Sequence, residues 1–289
     1  MKKALALMMS ILMLTAVLTG CGGSQQSGGS QAPANRLEQI LANGKITVAT
    51  EPYFAPEEFI DPSKEGSEQY VGADIEFAKL IAEKLGVELE VVPLDFTTVL
   101  SSVTEGKYDL AISALAYKPD RAENMNLSKC YYLSDDEDEN SYGIAVSSAI
   151  ADQVKGLDDL SDKVIAVQQG SLQSFLWETY GGACKEMKYT SSTNDAFMMV
   201  TEGKADAVVT ATNFARLYID ANKDCNIEVC ESFRFDVSDD YLGLVVGMKK
   251  GEDELTARIN EIIDEMVESR VYFDWMEEYT EYAASLGLM

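Results

Sequence analysis

Arg121 has the most to offer chemically in this chain. Its guanidinium is planar, permanently charged and forked, a shape that takes a carboxylate through two parallel hydrogen bonds. A second anion-seeking feature is the turn Gln169-Gly170-Ser171, which opens onto a helical pattern beginning at Leu172 and Gln173. The free N–H groups of a helix start favour an anion, and Ser171 is the expected N-cap. Phe54 and Phe96 supply flat apolar faces able to sandwich an apolar stem, and Glu51 and Asp95 stand beside them in sequence. Together these residues describe the capture of a small molecule bearing a carboxylate. Taken singly, each has a plainer reading: Arg121 as a surface ion pair with Asp120 or Glu123, the two phenylalanines as core.

What is missing narrows the chemistry. The chain has no histidine, so the usual general base, the commonest metal ligand and every Ser-His or Cys-His arrangement are excluded. No metal and no cofactor are expected. With 49 acidic against 23 basic residues and a formal charge of −26, neither nucleic acid nor an anionic bilayer is an expected partner of the protein surface. The run Asp135-Asp136-Glu137-Asp138-Glu139 lacks the glycine turn and spaced ligands of a calcium loop and reads as a solvated segment. Besides Cys21 there are Cys130, Cys184, Cys225 and Cys230. An exported chain can oxidise such thiols. Cys225 and Cys230 are spaced to close a small loop, but spacing does not fix a pairing.

The elements that must hold these groups alternate between strand and helix patterns. Lys45 to Thr50 is strand-like; Gly72 to Leu85 is helical, with Ile75, Ala78, Ile81 and Leu85 on one face and Gly86 as a stop. Val87 to Val92 returns to strand, Thr97 to Thr104 to helix, and Leu110 to Ala114 to strand. This order implies a parallel sheet with helices on its faces. The grammar restarts with strands at Val164 to Val167 and Ala207 to Val209, and helices at Leu172 to Tyr180 and Ala196 to Thr201. Val103-Thr104-Glu105-Gly106-Lys107-Tyr108-Asp109 is echoed by Val200-Thr201-Glu202-Gly203-Lys204-Ala205-Asp206. Gly106 and Gly203 fit helix C-terminal turns, and Asp109 and Asp206 are expected to fix them. Two similar α/β lobes follow. Ligands bind beyond the carboxyl ends of parallel strands, which gathers Glu51 to Phe54, Asp95 and Phe96, Ala114 to Arg121, Gln168 to Gln173, and Thr210 to Asn213, Thr212 among them. The segment Glu252 to Leu286 is helical, with Trp275 and Tyr279 expected in core or docking contacts.

The N-terminal residues set the compartment. Lys2 and Lys3 precede an uncharged apolar run, Ala4 to Val17, and then Leu18-Thr19-Gly20-Cys21. The pattern is that of a secretory signal over residues 1–20, too short for an ordinary membrane span. Its Leu-Thr-Gly-Cys ending resembles a bacterial lipobox, which implies lipidation of Cys21 and anchoring to a membrane through acyl chains. The plain alternative is a signal peptide with an incidental cysteine. Residues 21–34, rich in Gly, Ser and Gln, read as a flexible tether.

Several stretches together resemble the family 3 extracellular solute-binding proteins, the polar-amino-acid receptors of ABC importers. They are Glu51-Pro52-Tyr53-Phe54-Ala55-Pro56, Val71-Gly72-Ala73-Asp74-Ile75-Glu76-Phe77-Ala78, the span from Gly106-Lys107-Tyr108-Asp109 to Arg121, and Val167-Gln168-Gln169-Gly170-Ser171. The resemblance implies an α/β, two-lobed periplasmic-binding-protein-like (flytrap) fold: two parallel-type sheets joined by two hinge strands. Lobe one would comprise 35–132 plus 244–289, and lobe two 133–243. It implies an amino-acid-like ligand outside the cytoplasm and an importer permease as partner. It also implies that Arg121 holds an α-carboxylate, that Phe54 and Phe96 form aromatic walls, and that the Ala114 carbonyl accepts from an ammonium. Two positions depart from the pattern: Ala116 stands where a hydroxyl is usual, and Ala211 where many members carry an acid for the ammonium. Asp239 or Asp240 are the candidate substitutes; otherwise the ligand is not a standard α-amino acid. The alternatives of another class are a flytrap enzyme, such as a dehydratase using Glu51 or Asp95, and a receptor ectodomain or cell-wall lytic enzyme, which would need further domains.

Overall fold

The computed structural model describes residues 33–288; the expected signal segment, Cys21 and most of the tether lie outside the described residues. Helix α1 (Arg36–Asn43), capped by the Asn35 side chain, leads into β1 (Lys45–Thr50). Then come β2 (Tyr53–Phe54), β3 (Glu58–Ile60), β4 (Tyr70–Val71), α2 (Ala73–Leu85), β5 (Glu88–Pro93), α3 (Phe96–Thr104), β6 (Leu110–Ala111), α4 (Pro119–Asn124) and β7 (Met125–Leu127). The second run holds β8 (Tyr142–Ser147), β9 (Val164–Gln168), α5 (Leu172–Tyr180), β10 (Glu186–Thr190), α6 (Thr193–Thr201), β11 (Ala207–Ala211), α7 (Thr212–Ala221) and β12 (Ile227–Val229). The chain closes with β13 (Gly247–Lys249), α8 (Asp253–Ser269) and α9 (Val271–Ser285).

Two five-stranded sheets result, ordered β5-β1-β6-β13-β7 and β10-β9-β11-β8-β12. Each has a parallel trio, as the alternating pattern implies: β5, β1 and β6 in one, β10, β9 and β11 in the other. The strand by which the chain first enters the far lobe, β8, and the strand by which it returns, β13, run antiparallel to their neighbours. The reason is geometric: the trio strands end at the cleft, whereas a strand arriving from the other lobe starts there. The two crossings lie side by side, with Tyr131 N–H donating to Leu244 O and Leu244 N–H to Tyr132 O, each at 2.8 Å. A small antiparallel sheet, β2-β3-β4, is added at the cleft edge.

Burial explains the elements. On α2, Ile75, Phe77, Ala78 and Ile81 face inward, and Gly86 closes the helix at φ +69°, a conformation glycine adopts without steric cost. With Ile46 and Val48 of β1 and Ile259, Ile262, Ile263 and Met266 of α8, they form the core of the first lobe. Separate clusters cover the two faces of the second sheet. The C-terminal helical stretch breaks at Arg270, in the left-handed conformation at φ +58°. Trp275 packs on the first core and Tyr279 on Phe59.

The repeated aspartates act between strands rather than on the turn itself. Asp109 accepts from the Thr47 N–H and Asp206 from the Val164 N–H, both at 2.7 Å, tying each to the start of the neighbouring strand. All four described cysteines are free. Cys225 and Cys230 flank β12 and belong to clusters on different faces of the sheet, which is why the small loop between them is not closed.

Candidate functional site

The carboxyl ends of both parallel trios face one cleft of roughly 990 Å³, part of it open to solvent. Glu51, Phe54, Phe96, Ala114, Ala116, Arg121, Ser171, Leu172 and Gln173 all line it. Thr212 does not. It begins α7, is fully buried, and shares a hydrogen bond with the Ser141 hydroxyl while its neighbours Ala211 and Asn213 face the cleft. Asp95 is spent as the N-cap of α3, accepting from Thr98 N at 3.0 Å.

Arg121 is 5% exposed. Its guanidinium donates to the carbonyls of Ala116 and, across the cleft, Gly170 at 3.0 Å, and lies 5.8 Å over the Phe96 ring. Burial lowers its pKa to about 10, with Asp120 opposing, so it stays charged at neutral pH. Lys118, buried beside it and within the span Ala114 to Arg121 gathered from sequence, also points to the Gly170 carbonyl, at 3.3 Å. Two cations of the first lobe thus hold the turn that opens α5. Ser171 is the N-cap of that helix, accepting from Ser174 N at 3.1 Å.

Acids line the same cleft. Glu51, Glu57, Glu58 and Glu139 all face the cleft. Glu51 is 2% exposed; Gln168 reaches its Oε2 at 3.4 Å from the second lobe, while its Oε1 has no partner among the described residues. Desolvation pushes its pKa up to about 8 against that hydrogen bond, and the charges of Asp195 and Asp95 add to the rise. Glu58, 1% exposed, accepts from Ser113 Oγ at 3.0 Å and, protonated by burial, donates to the Asp74 carboxylate, whereas the Oε2 of Glu57 is sealed and unpartnered among the described residues. Burial first, then the charge of Asp74, raises Glu57 to about 8 and Glu58 well above the usual carboxylate range. Glu57 and Glu58 escaped the sequence reading because adjacent acids ordinarily mark a solvated face. The available signal was their place in a short β-like stretch between Pro56 and Phe59.

Ala114 is held in a strained backbone, φ +43°, by Asp74. The Asp74 carboxylate accepts from Ala114 N at 2.8 Å and from the Tyr131 and Tyr272 hydroxyls at 2.7 Å each. Phe54 does not pair with Phe96; it stacks on Phe214 of the second lobe. The candidate substitutes Asp239 and Asp240 are exposed in a short 3₁₀ turn away from the cleft lining.

Two α/β lobes closing on a cleft that holds a cationic fork and buried acids define a receptor for a small charged solute. The model of the bacterial extracellular solute-binding proteins, family 3, matches residues 46–282, and the chain belongs to that family. An arginine-binding extracellular protein of Bacillus subtilis is 27% identical over 270 residues, covering 92% of this chain and 93% of the relative. A solved amino acid ABC transporter substrate-binding protein of Streptococcus pneumoniae, bound to L-arginine, superposes with TM-score 0.73 at 29% identity, covering 85% of this chain and 97% of that one. A cyclohexadienyl dehydratase of Pseudomonas aeruginosa is 31% identical over 105 residues, 36% of this chain and 38% of the enzyme. Among the described residues no helix is long and apolar enough to cross a membrane.

Proposed function

We propose that this protein captures a cationic amino acid outside the cytoplasm and delivers it to an ABC importer, anchored to the membrane by a lipid on Cys21. The observation that carries the ligand class is the presence of Arg121, Glu51 and Glu57 in one cleft. All three line it, and one carboxylate oxygen of each acid has no partner among the described residues. Arg121 takes the α-carboxylate. Glu51, at the far end of β1, takes the basic tail, as a buried charge requires a paired one. Phe54, Phe96, Ala114, Ala116, Leu172 and Gln173 shape the space between. The arginine named for the Bacillus and Streptococcus relatives fits this chemistry.

A thermal-shift screen of amino acids and small carboxylates tests the class. A ligand at a hundredfold excess over its dissociation constant stabilises by about 2.7 kcal/mol. L-Arginine or L-lysine should give the largest shift; a best response to leucine or valine overturns the reading. The anchor is tested separately: Cys21→Ser should leave the membrane fraction or remain unprocessed. A dehydratase is the other reading, because Glu51, with its pKa raised to about 8 in a closed cleft, is suited to donate a proton. Turnover of prephenate or arogenate by pure protein would favour it.

A further inference from the structure

Ala211 leaves the second lobe without an acid where the family resemblance puts an ammonium anchor, and Asp239 and Asp240 do not fill the gap. The geometry of β8 and β11 shows what does. The two strands pair antiparallel with Ala211 opposite Tyr142, and both residues line the cleft. The Tyr142 phenol is pushed up to about 12, by burial first and then by the charge of Glu57, with Arg121 pulling the other way. Glu57 of the first lobe and Arg121 line the same cleft as this ring and Ala211. The Glu57 backbone is fixed in place. Its carbonyl accepts from Asp74 N at 2.8 Å at the start of α2, and Gly72 (φ +128°) packs against it so closely that any Cβ there would collide with that carbonyl. A sealed carboxylate oxygen with no partner among the described residues is costly unless a ligand supplies a donor.

On the cationic amino acid reading above, we propose that Glu57 is the ligand's ammonium anchor: the acid absent at Ala211 in the second lobe is supplied by the first. Both charges at the ligand's α-carbon, the carboxylate on Arg121 and the ammonium on Glu57, are then held by the first lobe. The second lobe contributes the closing surface of Leu172, Gln173 and Phe214.

Calorimetry with L-arginine and with its amino-free analogue, guanidinopentanoate, tests the assignment. Glu57→Gln should weaken L-arginine by about thirtyfold or more, while guanidinopentanoate, which has no ammonium to lose, changes by less than about threefold. Retained binding of the analogue also shows that the variant is folded. Adding Ala211→Asp to Glu57→Gln should recover about tenfold or more for L-arginine. Unchanged L-arginine binding by Glu57→Gln overturns the assignment, and so does equal weakening of both ligands. A parent protein that binds neither L-arginine nor L-lysine sinks the ligand class, and this anchor with it. A parent that binds them while Glu57→Gln is indifferent sinks the anchor alone.

Discussion

The rings of Phe54 and Phe214 lie face to face across the two lobes, centroids 4.1 Å apart and planes 5° from parallel. At that separation nothing fits between them, so Phe54 serves as a latch beside the ligand space rather than as half of a sandwich with Phe96. Offset or stacked aromatic pairs contribute about 0.5–1.5 kcal/mol beyond the area they bury. Phe54→Leu should therefore weaken ligand binding by about twofold to tenfold, with the change in the dissociation rate, because the latch exists only when the lobes are together. Stopped-flow measurement of ligand release checks it; a variant releasing ligand at the parent rate contradicts the latch.

The strands and helices of both trios were legible because period-two and period-3.6 patterns are strong in them. The Leu172 to Tyr180 helix and the Lys45 to Thr50 strand have the boundaries read from sequence. The β2-β3-β4 sheet was not, since strands of two or three residues carry no period. The break at Arg270 was hidden too: no glycine marks its left-handed turn, and the apolar face continues on both sides. Within the site, residues at strand ends were collected by one topological rule, which works because the trio is parallel. That rule says nothing about side-chain direction, so Thr212 was gathered with its neighbours although it turns inward to Ser141. Glu57 lies in the turn before β3 and Glu58 at its start, outside the reach of the rule, in a cleft also lined by distant chain such as Tyr132 and Tyr142.

Arg121 binds two backbone carbonyls already, Ala116 and Gly170, and on the proposed function its remaining donors take the ligand carboxylate. Truncating one partner of a buried charged pair costs about 2–5 kcal/mol. Arg121→Ala should thus lose about thirtyfold to a few thousandfold in affinity. Arg121→Lys should recover only part of it, because a single ammonium cannot reproduce the fork. Titration calorimetry with the cationic amino acid that the screen identifies checks both; parent-like binding by Arg121→Ala refutes the role.

Asp74 joins β6's far end to the two tyrosines beneath it. Removing its carboxylate leaves Ala114 N and two buried phenols without an acceptor, each worth about 1–3 kcal/mol when orphaned. Asp74→Ala should destabilise the protein by about 3 kcal/mol or more, and Asp74→Asn, which keeps one acceptor oxygen, by less. Urea unfolding measures this, and a loss under about 1 kcal/mol would contradict it.

The acidic wall makes binding depend on pH in a defined direction. Glu51 faces Gln168, Asp195 and Asp95, and Glu57 faces Asp74, Glu139 and Tyr142; no cation among the described residues pairs with either. Burial raises their pKa values to about 8, against about 4.3 for a free glutamate. A raised carboxyl contributes stability that is present below the unfolded value and lost as pH climbs through the folded one. The ligand-free protein should accordingly melt lower at pH 8 than at pH 5. A cationic ligand prefers the ionised acids, so below about pH 8 its binding must expel their protons, and affinity should rise from pH 6 to pH 8. Calorimetry in buffers of different ionisation enthalpy would register the released protons, and Glu51→Gln would remove part of the release. An affinity for L-arginine that stays flat over that range, with no proton release, would mean that the acids are already ionised before ligand binds.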